Sequence, residues 1–363
     1  MRKFYILSII LFIFTLPKYL IVHSQEGSKE PLAKLWNIDN EDIPKYLDFI
    51  AAANSTAKLN YKFEEITKLA KSFKLNTTSV GYIDARINDI VINTCNQTRF
   101  EENNVNFMNA IKIHNPMIFY YDCKDSTDDN FSTPNNMEFG KRNNIVKKIL
   151  AGDGLYKIGT RNGTCTAGFV ATTKENIICI ATAGHCYLND AEYYLRPWNS
   201  EPTTYLIGKM NFAYLDKIDF GLIPIVGDVK PEPSIRNTDS EKYRELLIDD
   251  DIAVSHYGVH LCVSGYYSHV KCGYVISLNG FASFQKHFQE NLFIVNLAVI
   301  NGDSGSPLFS YKQDLMRVSL SGILLGGANT DEVYGNIATV ITISSILNTL
   351  RKDGREISVV TAN

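Results

Sequence analysis

Apolar residues change their spacing along this chain, and each change predicts a different kind of element. Phe4 to Leu16 is a nearly unbroken apolar run. Pro44 to Ala53 reads as a helix with proline in its first turn, and Phe63, Ile66, Leu69, Ala70 and Phe73 recur at helical spacing, as a core-facing stripe does. Between Ser79 and Asn93 the pattern shortens to that of a strand following an Ala-Arg-Ile-Asn turn. Asp122 to Asn144, rich in Asp, Asn, Ser and Lys, has almost nothing to bury and reads as an exposed linker. Thereafter the apolar runs are short and strand-like: Cys165 to Val170, Asn176 to Ala181, Asp219 to Ile225, Asn291 to Ile300, Val318 to Gly327 and Gly335 to Ile343. Ser344 to Arg351 closes the chain as a predicted helix. The pattern therefore predicts an α+β segment followed by an all-β domain.

Composition changes this picture at the N-terminus. Arg2 and Lys3 precede the 4–16 run, which is too short to span a bilayer and has the shape of a secretory signal, with cleavage expected near Ser24. Sequons at Asn54, Asn76, Asn96, Asn130 and Asn162 agree with a secreted, extracellular glycoprotein that keeps no membrane attachment once the signal is removed. The expected divisions are 1–24 as signal, 25–148 as an N-terminal region with its linker at 122–148, and 149–363 as the functional domain. With 36 basic against 39 acidic residues, charge gives no case for a nucleic-acid or membrane-surface partner. Seven cysteines in a secreted chain allow disulfides and leave at least one unpaired; Cys95 and Cys123 are one candidate pair, and Cys179, inside an apolar run, reads as a buried free thiol.

Candidate chemistry begins at Asn301 to Leu308, N-G-D-S-G-S-P-L, where Ser304 stands on a turn with glycines at 302 and 305. Glycine lets the backbone take positive φ and approach a substrate closely, so the N–H groups of Gly302 and Ser304 can converge as an oxyanion hole. Gly/Asp/Ser/Pro clusters also make ordinary surface turns. What favours chemistry is Thr182-Ala183-Gly184-His185-Cys186, which supplies a base. That imidazole needs a carboxylate to hold one tautomer. Asp219, opening D-F-G-L-I-P-I, is the candidate and Asp216 its rival. The order His, Asp, Ser separates this arrangement from an α/β-hydrolase, where serine comes first. His256, His260, His269 and His287 show no metal-ligand spacing and read as surface or core histidines, so neither metal nor cofactor is expected.

The T-A-G-H-C and G-D-S-G-S-P runs resemble the chymotrypsin-like serine peptidases, closest to the streptogrisin and alpha-lytic protease branch, over about residues 78 to 350. The resemblance implies two antiparallel six-stranded β-barrels with a C-terminal helix and a catalytic site in the cleft between them. It implies a triad of His185, Asp219 and Ser304, and disulfides Cys165–Cys186 and Cys262–Cys272. It places substrate binding at Ala298, six residues before Ser304, and at Leu325, Gly326 and Gly327, with an apolar or small residue preferred before the cut bond because nothing acidic stands at 298; the alternative is a preference for acidic residues set by His269 or another polar group, as in glutamyl endopeptidases with a similar G-S-P ending. It also implies that the 79–93 hairpin belongs to a pro-region, a folding helper and partner of the mature domain, released near Lys148 because Ile149 onward is similar to a mature streptogrisin N-terminus. Three features depart from the family: Leu325 replaces a serine that supports the aspartate, the disulfide beside the nucleophile is missing, and the second glycine of the Cys262–Cys272 loop is replaced, by Ser268 or a neighbour.

The expected function is a secreted serine endopeptidase, monomeric, made as a zymogen, acting on protein or peptide substrates through an acyl-enzyme. The alternative is a secreted non-catalytic binding protein that retains the fold, motivated by Leu325 and the missing disulfide. Asp303 is assigned to holding the oxyanion loop, its partner either a new N-terminus or an arginine.

Overall fold

In the computed structural model, residues 53–75, 78–96, 101–121, 147–284, 287–328 and 336–362 are described. The signal run, most of the predicted helix at 44–53, and nearly all of the 122–148 linker, Cys123 included, lie outside them. Residues 1–58 with 85–88 form one unit, and 59–84 with 89–363 form the other.

The described N-terminal segment begins with α1 (Ala53–Phe73), followed by strands β1 (Ser79–Asp84) and β2 (Asp89–Cys95), which pair antiparallel. Helix α2 (Glu102–Ile111) then crosses to β3 (Met117–Tyr121), which lies parallel to β2. Neither α2 nor β3 was expected. Phe107, Met108 and Ile111 of α2 pack with Phe63, Ile66 and Ala70 of α1 into one buried cluster. Cys95 is disulfide-bonded.

The remaining strands run from β4 to β21. They are β4 (Lys148–Ala151), β5 (Gly154–Ile158), β6 (Gly163–Thr166), β7 (Phe169–Thr173), β8 (Ile178–Thr182), β9 (Glu192–Arg196), β10 (Leu206–Lys209), β11 (Phe212–Tyr214) and β12 (Phe220–Pro224). After β13 (Lys230–Arg236) and β14 (Glu245–Asp251) come β15 (His260–Gly265), β16 (His269–Phe284), β17 (His287–Val295), β18 (Pro307–Tyr311), β19 (Arg317–Ala328) and β20 (Ile337–Thr342). Helix α3 (Ile343–Lys352) and β21 (Ile357–Val359) end the chain. Thr342 caps α3 by accepting from the Ser345 N–H, which satisfies one of the donors a helix start leaves free.

Pairing defines two barrels. In the first, β10–β9–β5–β6 and β7–β8–β12 are antiparallel ladders, and β6 passes into β7 through Ala167 and Gly168. Hydrogen bonds from the N–H groups of Val226 and Gly227 to Ile207 O close the ring. In the second, β16–β15–β18–β19–β20–β17 returns to β16 through antiparallel pairs only. Alternation along each strand points Leu155, Ile180, Leu195 and Ile223 into the first core and Val263, Val275, Leu308 and Val340 into the second. A further buried cluster joins Phe169 and Phe220 of the first barrel to Phe309 and Ile323 of the second. Among the described residues, parallel pairs occur only outside the rings, where β13 takes β4, β14 takes β19 and β2 takes β3.

The N-terminal segment continues the second barrel's sheet. Ser79 to Tyr82 of β1 pair with Ser283 to Gly280 of β16, so β1–β3 extend one edge of the long β16–β17 hairpin. A Cβ at Gly81 would lie 2.3 Å from the Phe281 ring, which explains why a residue without one stands there. Phe281 in turn stacks on Phe63 at 5.8 Å. Burial of such a ring is worth about 2–3 kcal/mol, and both rings are almost fully buried.

Candidate active site

Strand β8 delivers His185 through a single 3-10 turn, Gly184–Cys186. Cys165 and Cys186 form a disulfide that ties this turn to β6. Asp219, just before β12, accepts the His185 backbone N–H at 2.7 Å and lies 2.6 Å from Nδ1 through its other oxygen. A carboxylate can only accept, so Nδ1 carries the proton and Nε2 is left as the basic nitrogen. Both Asp219 oxygens are thus occupied by one residue, and the carboxylate is buried. Asp216, the rival, has a 92% exposed side chain and contacts His287 at 3.2 Å rather than His185.

Ser304 sits in the turn between β17 and β18, half-buried. Gly302 and Gly305 have φ of 101° and 90°, a region that L side chains rarely enter. The turn packs directly on the segment carrying His185. A Cβ on Gly305 would stand 2.1 Å from Thr182 Oγ1 and 2.9 Å from the Ala183 nitrogen. The Ser304 carbonyl accepts from Thr166 N–H at 2.9 Å and lies 3.9 Å from the Cys186 sulfur, which as part of a disulfide has no proton to donate. Within the turn, the N–H groups of Asp303, Gly305 and Ser306 donate to Ile300, Leu324 and Asp303 carbonyls. Those of Gly302 and Ser304 have no acceptor among the described residues.

Asp303 is fully buried and accepts three backbone N–H groups, from Tyr267 and Ser268 at one oxygen and from Ile300 at the other. Burial pushes its carboxyl above the usual carboxylate range even so. Among the described residues, neither a chain terminus nor an arginine is its partner. The buried arginine nearby, Arg236, instead makes a two-pronged pair with Asp153. That pair spans 83 residues and carries no local sequence signal.

Ala298 is exposed, whereas Leu325 is buried in the cluster between the barrels. A Cβ on Gly326 would meet nothing within 4 Å, so open space lies beside this strand; at Gly327 it would strike Val299. Leu325 donates nothing to Asp219, and both oxygens of that carboxylate are bound without it.

Cys262 and Cys272 face each other across β15 and β16 in a disulfide. The loop between them takes its left-handed residue at His269, with φ 57°. His269 is held there by a 2.6 Å contact from Nδ1 to Asp239 and by stacking on Trp198, ring centroids 4.1 Å apart. His260 lies near these two sulfurs, but their disulfide leaves no thiolate to join it in holding a metal. Cys179 is free and buried, and burial pushes its thiol up to about 11. Phe284, at the end of β16, meets the His185 ring edge-on at 5.6 Å, a contact that sequence reasoning did not anticipate.

No protein-family model matches the chain, and no curated protein does. Among solved structures it is similar to Thermobifida fusca protease A, at 20% identity and TM-score 0.46, covering 59% of this chain and 100% of that one. A Nocardiopsis protease matches at 18% identity and TM-score 0.47 with the same coverage. An alpha-lytic protease homolog matches at 19% and 0.43, covering 57% and 98%.

Proposed function

We propose that this protein is a secreted serine endopeptidase, made with a pro-region that ends near Lys148. The observation that carries the reading is the junction of the two barrels: a histidine fixed in one tautomer by a buried carboxylate, and a serine turn packed on the same segment with two N–H groups lacking an acceptor.

The chemistry follows from the parts. Ser304 attacks the substrate carbonyl while His185 Nε2 takes its proton, and Asp219 stabilises the resulting imidazolium. Negative charge developing on the carbonyl oxygen is received by the Gly302 and Ser304 N–H groups, which have no other acceptor among the described residues. His185 then returns the proton to the leaving amine, and water repeats the sequence to release the acyl group. The open space beside Gly326 is the proposed place for the side chain preceding the cut bond, and with no acidic residue at 298 an apolar or small residue is expected there.

The deciding experiment is labelling of Ser304 by an organophosphonate, since only an activated serine reacts. Labelling that is lost in Ser304→Ala supports the peptidase. A folded protein that never labels supports the non-catalytic binding protein instead. N-terminal sequencing of the secreted form tests the processing: a start near Ile149 is expected, and retention of residues 25–148 would exclude a cleaved pro-region.

A further inference from the structure

Two arginines of the protein are equally buried, Arg196 and Arg236, each only 9% exposed. A buried guanidinium is costly unless it is paired. Arg236 obeys this rule through Asp153. Arg196 does not. It donates to Ser200 O through Nε and to Thr164 Oγ1 at 3.0 Å through Nη1, with Tyr267 OH at 3.5 Å. Tyr266 and Tyr156 lie beside it as ring faces, at 4.8 and 5.8 Å. Every one of these neighbours is neutral. Nη2 has no acceptor, and no carboxylate pairs with Arg196, among the described residues.

The position of this charge matters. Two of its neighbours, Thr164 and Tyr267, are the groups that flank Gly302: a Cβ there would lie 2.5 Å from the Tyr267 ring and 3.4 Å from Thr164 O. The other end of the turn, at Gly305 and Ser306, is bonded instead to Leu324 of β19. Arg196 therefore stands beside the Gly302 end of the serine turn. An extended peptide advances about 3.3 Å per residue, so residues next to the cut bond are the ones to test against it.

We infer that Arg196 is a specificity-determining residue that receives a carboxylate of the peptide substrate, within three residues of the cut bond on the Gly302 side. The aromatic faces of Tyr156 and Tyr266 and the neutral acceptors hold the guanidinium in place, and no carboxylate forms an ion pair with it among the described residues. The inference rests on the peptidase reading and names a substrate class for it: chains with an acidic residue, or a terminal carboxylate, near the scissile bond.

The test uses protein recovered from expression of the full chain, and peptide pairs differing only by Glu against Gln at each of the three positions on either side of the cut. A charge-assisted hydrogen bond predicts kcat/KM at least about tenfold higher for Glu at one position of one side. A second arm compares peptides ending there in a free carboxylate or an amide, which separates an acidic side chain from a chain end. In Arg196→Gln the ratio falls to near one, and in Arg196→Lys it is partly kept. If neutral peptides are cut and Ser304 labels while every Glu/Gln and acid/amide ratio of the unaltered protein is near one, the carboxylate subsite is overturned and the peptidase stands. If no peptide is cut and Ser304 does not label, both fall together.

Discussion

Of the three histidine–aspartate pairs among the described residues, two stand near the serine turn and are alike in their shortest contact. His185 Nδ1 lies 2.6 Å from Asp219, and His269 Nδ1 lies 2.6 Å from Asp239. The carboxylates and the ring neighbours around that contact differ, although the two histidine side chains are almost equally exposed, 19% and 17%. The Asp219 side chain is 5% exposed, and its second oxygen takes the histidine's own N–H; the Asp239 side chain is 57% exposed. The His269 ring lies flat on Trp198, with Nε2 buried and unpartnered among the described residues. His185 meets its aromatic neighbour, Phe284, only edge-on and lies on the segment that packs against the serine turn. A histidine–carboxylate contact by itself therefore says little about catalysis. The difference between the two pairs lies in the desolvated carboxylate that Asp219 alone offers; among the described residues no hydrogen bond joins His185 to Ser304.

The sharpest way to break the comparison is through activity. Ser304→Ala is expected to lower kcat by on the order of a million-fold, and Asp219→Asn by about ten-thousand-fold, since the amide permits the wrong tautomer. Asp239→Asn, on the other side, is expected to change kcat less than about threefold. Steady-state kinetics on one peptide reads all three, and a comparable loss in the Asp219 and Asp239 variants would show that the two pairs are not different in kind.

Alkaline pH sharpens the same contrast through stability. Cys179 lies on β8, the strand that delivers His185, whereas the cysteines beside His269 are joined and do not titrate. The Cys179 thiol is raised to about 11 in the folded protein, so the native state holds that proton more tightly than the unfolded chain does. The stability this confers is complete below an unfolded thiol pKa of about 8.5 and is lost as pH rises to about 11, a total of about 3 kcal/mol. Denaturant melts from pH 8 to 11 should therefore flatten in Cys179→Ala; an unchanged slope would count against it. Near neutral pH the native thiol should resist thiol reagents.

Smaller effects belong to His269. His269→Ala keeps the left-handed backbone but loses the stack on Trp198, for an expected cost of about 1–2 kcal/mol, and His269→Gly should recover part of that by removing the backbone strain. Melting temperatures check the order. Smallest of all, the exposed Asp239 carboxylate should matter to stability by less than about 1 kcal/mol.

Much of the region after residue 148 was legible because its signals are local. The strands around His185 and Ser304 have short periodic runs, and the glycines at 302 and 305 mark positive φ by their identity alone. Both candidate disulfides of this half are present. The region before residue 122 was less legible: α2 and β3 were missed because their apolar faces are short and make sense only against α1 and β2. The loss of the loop glycine was visible along the chain, yet nothing local could show that His269 would take its conformation, since Trp198 and Asp239 supply the compensation from far along the chain.

The sequence by itself determined the two kinds of region, the His-Asp-Ser order and the serine turn, because periodicity and backbone permissiveness are properties of adjacent residues. Only the tertiary structure decided which aspartate meets His185, what holds Asp303, and that Arg196 is buried without a counter-charge among the described residues. Those outcomes depend on desolvation and distance between residues that chain order does not bring together, and burial is what turns an ordinary charged side chain into one that must be paired or used.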